Sequence, residues 1–374
     1  MHMPHTSLMA RAGGSLAIAL LGLQAGLLPA RAGDRGGAVY VLTNQTPDSV
    51  MVYARAADGT LRMTGKFPTG GTGTGTGPDP LGSQGSLVLD RWGLLLFAVN
   101  AGSNDVSVFA VRKQGLDLKL MDRSKSGGTM PVSIAVHGRL VYVLNAGGAP
   151  NIQGFVIEPF GGHLVPLPGS QRLLPGGAAS SAAEVAFSPD GDVLIVTEKG
   201  TNKIDTWRVN DEGYAENGMT LDSSGATPFG FAFARRDVAV ISEAGPSALS
   251  SYDVDDDSVQ LLTGSLSDGQ KANCWVIVTR NGRYAFTTNT GSGNISSYLL
   301  TRDGFLTLLN GVAASTGTGT APIDMALSED GRFLYVREAV KGMVDGFRLE
   351  SDGSLTAVSS VGGVPAGAQG VAAR

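Results

Sequence analysis

Cysteine and histidine are scarce in this chain of 374 residues. Cys274 is the only cysteine, which excludes an intrachain disulfide. Two of the four histidines, His2 and His5, stand at the extreme N-terminus, which leaves His137 and His163 for the rest of the chain. Lysine and arginine, 28 in all, are outnumbered by 33 acidic residues and form no clusters. The acidic balance argues against nucleic acid or an anionic membrane surface as a partner.

Long apolar runs are also missing, except one near the N-terminus. Arg11 precedes the apolar run Ser15 to Leu28, and "ARAG" follows it. A basic start, a short apolar core and a small-x-small end are typical of a signal peptide, so we expect residues 1–32 to be removed after Ala32. The alternative is an anchoring helix, but this run of roughly 14 residues is shorter than the ~20 that span a bilayer. The sequence thus predicts export, periplasmic or extracellular, of a domain over residues 33–374, without membrane attachment after cleavage.

Glycine, in contrast, is abundant, with 54 residues, and this favours many short strands joined by tight turns. Seven apolar runs end in Asn or Glu, at intervals of about 45 to 56 residues. These terminal residues, termed the anchors below, are Asn44, Asn100, Asn145, Glu198, Glu243, Asn289 and Glu338. A repeat of this length made only of strands is typical of propeller blades.

Each copy has the same order of strands and turns. A first apolar strand leads through a turn such as "SPDGD" or "SEDGR" into a second strand that ends at the anchor. The first copy begins at its second strand, "AVYVLTN", and the last copy is followed by the unpartnered strand "AGAQGVAA". We therefore predict an all-β, seven-bladed β-propeller closed by joining the N- and C-terminal strands in one blade, since closure removes open sheet edges. Separate sandwich domains would leave both terminal strands unexplained.

The repeats, together with the "SPDG" and "EDGRFLYV" hairpins and "NGRYAFTTNTGSGNISSY", make the chain resemble the seven-bladed lactonase-type propellers. That family contains bacterial 6-phosphogluconolactonase and fungal 3-carboxymuconate cyclase, and the resemblance covers residues 33–374. It implies lactone chemistry at the channel mouth, where the family has a Pro-Arg-His sequence in one blade. The matching positions here are Ala182, Ala183 and Glu184, so the Arg-His motif is not retained.

The family position of that histidine selects one residue in each blade. These residues are Ser86, Ser133, Glu184, Gly230, Trp275, Asp324 and Gly370. Antiparallel pairing of the first two strands predicts that the anchors lie beside them, with Glu184 near Glu198, Trp275 near Asn289 and Asp324 near Glu338. Lys199 and Arg337 adjoin two anchors. His137 and His163 fall in turns of the opposite face, so no histidine is expected at the mouth.

Three interpretations of these mouth residues stay open. They either satisfy loop amides in a wet channel, or perform acid–base chemistry with Glu184 and Glu198, or hold Ca²⁺ or Mg²⁺ through oxygen ligands. Trp275 either fills the channel or stacks on a ligand ring. The Gly-Thr loop from Thr69 to Pro80 lacks a phosphate-loop ending and is expected to overhang the mouth.

The favoured interpretation is an exported, monomeric, lactonase-like propeller that acts on a small polar lactone or sugar acid, by hydrolysis or lactonisation. Glu184, Glu198 and Arg337 are the candidate catalytic residues. The candidate substrate-binding residues are Trp275, Asn289, Asp324, Glu338 and Lys199. The sequence identifies no definite cofactor, and Ca²⁺ or Mg²⁺ belongs to the metal alternative. The competing class is a non-enzymatic propeller that binds a small molecule or a protein.

Overall fold

The computed structural model describes residues 36–75, 77–159 and 161–374. The proposed signal peptide, residues 1–32, lies outside the described residues. Within them, β-branched and aromatic residues form short antiparallel strands, and the only helical turns are single 3₁₀ turns at Lys113–Gly115 and Gly177–Ala179. None of the described helices has the length and apolar character needed to cross a membrane.

The strands assemble into seven sheets, each a blade of a propeller. Blade 1 consists of the C-terminal strand β29 (Val371–Ala373), β1 (Gly37–Leu42), β2 (Ser49–Arg55) and β3 (Leu61–Pro68). Blade 2 consists of β4 (Leu87–Leu89), β5 (Leu95–Asn100), β6 (Asp105–Arg112) and β7 (Asp117–Lys125). Blade 3 consists of β8 (Thr129–His137), β9 (Leu140–Gly147), β10 (Asn151–Ile157), β11 (Leu164–Pro166) and β12 (Arg172–Leu173).

The remaining four blades have four strands each. Blade 4 consists of β13 (Ala182–Phe187), β14 (Val193–Glu198), β15 (Lys203–Val209) and β16 (Ala215–Asp222). Blade 5 consists of β17 (Pro228–Phe233), β18 (Val238–Glu243), β19 (Ala248–Asp255) and β20 (Ser258–Ser267). Blade 6 consists of β21 (Asn273–Val278), β22 (Tyr284–Asn289), β23 (Asn294–Leu300) and β24 (Leu306–Ser315). Blade 7 consists of β25 (Pro322–Leu327), β26 (Phe333–Glu338), β27 (Met343–Leu349) and β28 (Leu355–Val361).

Ring closure is confirmed by the pairing of the two chain ends. Strand β29 runs antiparallel to β1, with Val39 opposite Ala373 and Val41 opposite Val371. The C-terminal strand therefore becomes the innermost strand of blade 1, and the seven-bladed all-β architecture predicted from the repeats is correct.

Neighbouring blades are held together by buried apolar side chains and by repeated tyrosine contacts. Tyr40, Tyr142 and Tyr335 are fully buried and occupy second strands. Their hydroxyls donate to the carbonyl oxygens of Gly115, Gly213 and Gly59 in the next blade, each at 2.9 Å. Each hydrogen bond offsets the desolvation cost of burying the hydroxyl, because the donor keeps a partner.

The innermost strands of blades 3 to 7 share an irregularity near their first residues. The register of each shifts there against the second strand, as in a β-bulge. The extra residues fall at Val132, Ala183, Phe229–Gly230, Cys274–Trp275 and Asp324. A bulge leaves backbone groups without ladder partners and re-aims the adjoining side chains. This local feature shapes the lining of the channel mouth.

Candidate functional site: the channel mouth

The centre of the ring is occupied by residues 81–86, which we term the channel segment. This segment follows the Gly-Thr loop and precedes β4. Gln84 lies at its middle and donates from Nε2 to the carbonyl oxygens of Phe231 (2.9 Å) and Val276 (3.0 Å). Its Oε1 accepts from the Val276 N–H at 2.9 Å. One glutamine thus bonds the innermost strands of blades 5 and 6.

The residues beside Gln84 bond further blades. Ser83 donates from Oγ to the Val132 carbonyl of blade 3 at 2.8 Å, and its own carbonyl accepts from the Trp275 indole at 2.9 Å. Gln369 lies in residues 366–370, which lead into β29 and are termed the closing segment, and it also donates to the Ser83 carbonyl, at 2.8 Å. The Gly-Thr loop was expected to overhang the mouth, and the chain that follows it enters the channel itself.

Glu184 directly follows the bulge residue Ala183 of β13 and has 6% of its surface exposed. Its Oε2 accepts from the Phe231 N–H at 2.6 Å, and its Oε1 accepts from Gln84 at 3.2 Å. Burial raises the pKa of Glu184 well above its usual range, the Phe231 hydrogen bond opposes this, and the charge of Asp324 adds to it. The carboxyl group that influences Glu184 is therefore Asp324, where the sequence had suggested Glu198.

Asp324 occupies the bulge of β25 and is 3% exposed. Its φ is +46°, which is unfavourable for a residue with a Cβ atom. The carboxylate accepts from the N–H groups of Met325 (2.9 Å) and Val371 (3.2 Å), so it joins blade 7 to blade 1. Burial raises the pKa of Asp324 to about 7, against these hydrogen bonds.

A common rule explains much of this polar lining. Just after the bulges of blades 4, 5 and 6, and at the start of β29, a backbone N–H donates to a side chain of the neighbouring blade or of the channel segment. The pairs are Val185 N–H with Ser133 Oγ, Phe231 N–H with Glu184, Val276 N–H with Gln84 and Val371 N–H with Asp324. Glu184 and Asp324 therefore have a structural task as well as any chemical one.

Trp275 and Cys274 follow each other on the bulge of β21. Trp275 is 1% exposed, donates to Ser83 and packs its ring 4.7 Å from that of Phe229. Its faces are thus covered in this conformation, as expected of a side chain that fills the channel. The Cys274 thiol is buried, and burial raises its pKa to about 12, so it is a poor nucleophile.

Lys199 lies at the outer end of the channel segment, half-buried, and donates from Nζ to the Gly82 carbonyl. Its ammonium also stands 4.7 Å from the centre of the Phe229 ring. Burial lowers the pKa of Lys199, and the nearby Asp79 carboxylate opposes this shift. The pKa of Asp79 is in turn raised by burial and lowered by Lys199. These two groups are the partly accessible charges of the mouth.

Glu198 is not aligned with Glu184 in the register of blade 4. It pairs with Ala182, while Glu184 pairs with Thr197. The Glu198 carboxylate is fully buried and accepts from the Gly176 N–H at 3.0 Å and from the Thr201 hydroxyl. Asp205 of β15 lies nearby, and its pKa is raised to about 7 by burial and further by the Glu198 carboxyl group.

Four other anchors, namely Asn100, Asn145, Glu243 and Asn289, bond the third strand of their blade or the loop that enters it. Asn289 donates to Asn294 (2.8 Å) and Ser296 (2.7 Å), and Glu243 accepts from the Gly225 N–H at 2.8 Å. Glu338 is fully buried, and burial raises its pKa to about 7, with Asp345 adding to the shift. In most blades the recurring anchor therefore has a structural cause.

Arg337 is also buried away from Glu184. Its guanidinium donates to the Glu338 carbonyl and, at 2.6 Å, to the Pro365 carbonyl. Burial lowers the pKa of Arg337 to about 10, against the nearby Glu338 carboxylate. The arginine joins blade 7 to the segment that leads into β29.

Two residues at the mouth have no counterpart in the sequence prediction, namely Gln84 and Asp79. Both precede the first strand of blade 2, outside the repeated pattern, so no periodic signal marks them. Within the described part of the chain, His, Cys, Asp and Glu side chains form no group of three or more that could hold a metal ion. His137 ends β8 and His163 lies in the turn between β10 and β11, both at the strand ends opposite the mouth.

The chain was then compared with known proteins. The family model described as "Lactonase, 7-bladed beta-propeller" matches residues 33–172 and 239–324, more than half of the chain. No functionally curated protein matches it.

Similar solved structures include a periplasmic gluconolactonase of Pseudomonas aeruginosa, with 16% identity, a TM-score of 0.67, and coverage of 90% of this chain and 99% of that one. A Lactobacillus plantarum protein has 18% identity, a TM-score of 0.70, and coverage of 90% and 99%. A Bacteroides fragilis protein to which 6-phosphogluconolactonase activity is ascribed has 16% identity, a TM-score of 0.69, and coverage of 91% and 98%. At these identities the likeness concerns the fold.

Proposed function

The chain belongs to the seven-bladed β-propeller lactonase family, and we propose that it is an exported propeller that acts on a small polar lactone or sugar acid, by hydrolysis or lactonisation, at its channel mouth. One observation carries the proposal. Glu184 and Asp324 are two carboxyl groups in one channel, each with a raised pKa, and that of Asp324 is about 7. Buried carboxyls with such values suit proton transfer near neutral pH.

Hydrolysis of a lactone needs a base and then an acid. A carboxylate takes a proton from water, the hydroxide adds to the carbonyl carbon, and the ring C–O bond breaks as the alkoxide accepts a proton. When two nearby carboxyl groups have different pKa values, one is ionised and the other protonated over a range of pH. The ionised group can act as the base and the protonated group as the acid. Lys199, at the outer end of the segment, is placed to bind the carbonyl oxygen or the anion of a sugar acid.

Access to the two carboxyls runs past the channel segment. Gln84 donates directly to Glu184, so a substrate that reaches Glu184 must replace that contact. The Gly-Thr loop that precedes the segment contains Gly70, Gly75 and Gly77, all at positive φ, and glycine permits such a path to rearrange. We propose that the segment moves outward when the substrate binds.

The second candidate is a non-enzymatic propeller that binds a small ligand at the mouth. The observation that favours it is the channel segment itself, because its hydrogen bonds already satisfy groups that a substrate would need. In that case the ligand contacts only the outer residues, Asp79, Lys199 and Phe229. Neither candidate involves nucleic acid or a membrane after cleavage of residues 1–32, and both are compatible with a monomer.

Turnover of a panel of aldonolactones, followed at constant pH, tests the first candidate. We expect Glu184→Gln and Asp324→Asn each to lower kcat on the order of 10²-fold, because each removes a proton-transfer group. Asp90→Asn is the matched control, since Asp90 is a buried carboxylate in a turn on the opposite face. Equal turnover by all four proteins would disprove the proposed roles.

Calorimetry with the same panel separates the second candidate from the first. Binding without turnover that is lost in Lys199→Met, with Glu184→Gln unaffected, would identify a binding propeller. The panel includes Ca²⁺ and Mg²⁺ to test the metal alternative. Export is tested apart from both, by N-terminal sequencing of the secreted protein, which should begin at Gly33.

A further inference from the structure

A groove of about 700 Å³ opens between blades 5 and 6, on the face opposite the channel mouth. Turns of both blades line it, and four of the lining residues are arginines, namely Arg235, Arg236, Arg283 and Arg302. The full chain has a formal charge of −5, so this concentration of positive charge runs against the balance of the molecule. Nothing in the proposed lactone chemistry uses the groove.

The arginines are largely free of carboxylate partners. Among the described residues, Arg235, Arg283 and Arg302 form no ion pair within 4.0 Å, although all three are exposed. Arg236 lies 3.7 Å from Asp303, in a pair whose side chains are 74% and 77% exposed. An ion pair so exposed contributes little, so an incoming anion can replace Asp303 at small cost.

Arg236 is held in an unfavourable backbone conformation. The turn between β17 and β18 is one residue shorter than its equivalents "SPDGD", "TRNGR" and "SEDGR", and it lacks their glycine. Arg236 and Asp237 take φ values of +59° and +56°, where side chains with a Cβ are disfavoured. Backbone strain of this kind is found preferentially at binding sites. Arg236 thus occupies a position at which glycine would have a lower conformational energy.

Two of the guanidinium groups are braced by their surroundings. The stem of Arg235 crosses Gly282, where an added Cβ would stand 3.3 Å from the Arg235 Cγ. Arg283 lies over the ring of Tyr284, 5.1 Å from its centre. The groove floor is apolar, with Val238 and Leu300 each 4% exposed. The groove therefore combines oriented cations at its rim with an apolar base.

We propose that this groove binds a small ligand that carries two or more phosphate or carboxylate groups. Guanidinium groups bind both kinds of oxyanion through paired N–H donors, and several of them around one groove suit several oxyanions on one molecule. The volume lies in the range of ordinary small-molecule sites, and the apolar floor suits the carbon skeleton of the ligand.

A second copy of the chain is the competing occupant. A neighbouring groove of about 380 Å³ between blades 4 and 5 is lined by acidic residues, including Asp190, Asp237, Asp255, Asp256 and Asp257. That surface could face the arginines of another molecule. The concave shape, the braced side chains and the apolar floor favour a small ligand, and the oligomeric state is an outcome of the test.

The test is calorimetric titration of the secreted protein with inorganic pyrophosphate at low ionic strength, with citrate as a second probe. Pyrophosphate carries phosphate groups and citrate carries carboxylates, so the two titrations show which oxyanion is preferred. We expect the double variant Arg235→Gln/Arg283→Gln to lower the affinity for the more tightly bound probe at least about tenfold, because charge-assisted hydrogen bonds are lost. The matched control is Arg62→Gln/Lys66→Gln, which removes the same charge from exposed positions of β3. We expect that control to change affinity less than about twofold.

Arg236→Gly gives a second and opposite readout. Glycine accepts φ of +59° freely, so we expect the Tm to rise by about 1–3 °C while the probe binds more weakly. An equal loss of probe affinity in the groove and control variants would show that the probe is attracted only by the overall charge of the protein, and this would overturn the proposal. Failure of both probes to bind, or self-association that the groove variants abolish, would overturn it as well. Lactone turnover is measured on the same variants, and it should not change.

Discussion

Asp205 and Glu198 place two carboxyl groups together inside blade 4. Both residues are fully buried, and the register puts Asp205 opposite Val196, two residues before Glu198 on the same face of the sheet. Asp205 accepts from the Thr220 hydroxyl at 2.7 Å, and burial raises its pKa to about 7. An acid whose pKa is higher in the folded chain binds its proton more tightly there than in the unfolded chain. The free energy of unfolding therefore falls as the pH rises and the group loses its proton.

The pH dependence of stability tests this pair. The ordinary pKa of Asp is about 3.9, so the contribution of Asp205 is fully present below pH 4 and is lost as the pH rises through about 7. Asp205→Asn has nearly the same shape and cannot ionise. The variant therefore lacks the stability loss that ionisation of Asp205 causes between pH 5 and pH 8. We expect the free energy of unfolding at pH 8 minus that at pH 5 to be larger in the variant than in the unchanged protein, by on the order of 1 kcal/mol. Urea unfolding at the two pH values measures this, with the exposed Asp211→Asn as control. An identical pH profile for all three proteins would contradict the assignment.

The two remaining histidines give a test at the same scale. His137 packs against Gly191 and lies 5.8 Å from the ring of Phe187, and His163 lies 3.3 Å from Asp122. We expect His137→Asn/His163→Asn to keep lactone turnover within a few-fold of the unchanged protein. A folded double variant without turnover would move the active site to the turn face.

Single residues mark the limit of what the sequence could predict about the mouth. The repeat alignment selected Glu184, Trp275 and Asp324 as equivalent positions, and in the structure they lie at or next to the bulges of their strands. The placement of Arg337 did not follow from the alignment, because neighbouring residues of a strand point to opposite faces and a shift of one residue exchanges them. Asp79 and Gln84 belong to a connection that occurs in only one blade, so alignment of the repeats carried no information about them.

At the scale of elements, one of the shortest strands, β29, lies beside a segment whose contacts join several parts of the ring. Strand β29 has three residues, but the closing segment before it also bonds Ser83 through Gln369 and accepts from Asn44 at the Gly367 carbonyl. Val371 donates to Asp324 across the junction with blade 7. The closing segment therefore joins the first blade, the last blade and the channel segment.

Deletion of residues 366–374 should expose the edge of β1 and remove these bonds. We expect the truncated protein to aggregate or to lose a single cooperative unfolding transition, because β1 then presents unpaired N–H and C=O groups. Calorimetry and light scattering measure the two effects. Arg374→Ala, which keeps β29 intact, is the control. Unchanged melting of the truncated protein would argue against the stabilising role of ring closure.

Elements were predicted best where the hydrophobic pattern was regular. Second strands such as β14, apolar and buried along their length, were recognised with their ends, and the tight turns were marked by glycine. The bulges were not, because they depend on the fit of seven strands around one channel. The divided outer edge of blade 3, β11 and β12, was also beyond prediction, since exposed outer strands carry a weak hydrophobic signal.

At the scale of the whole molecule, Gln84 links blades that are far apart in sequence. Gln84→Leu keeps much of the volume but leaves the Val276 N–H and the Phe231 carbonyl without their partner. We expect the free energy of unfolding to fall by about 2–4 kcal/mol, since each unsatisfied buried group costs about 1–3 kcal/mol.

Denaturant unfolding measures that loss, and Gln260→Leu, an exposed position on β20, is the control. A loss no larger than that of the control would show that the channel segment is dispensable for stability. It would also favour the proposal that a substrate displaces the segment.

The channel segment also has a consequence for the order in which the protein folds. It is synthesised before the first strand of blade 2, yet its partners lie 100 residues away at Glu184, 192 at Val276 and 288 between Leu81 and Gln369. Contacts of such high sequence separation form late, because the loop must close before they contribute. The channel segment is therefore synthesised early but can dock fully only after the last residues of the chain are in place. Its docking completes the ring from the inside.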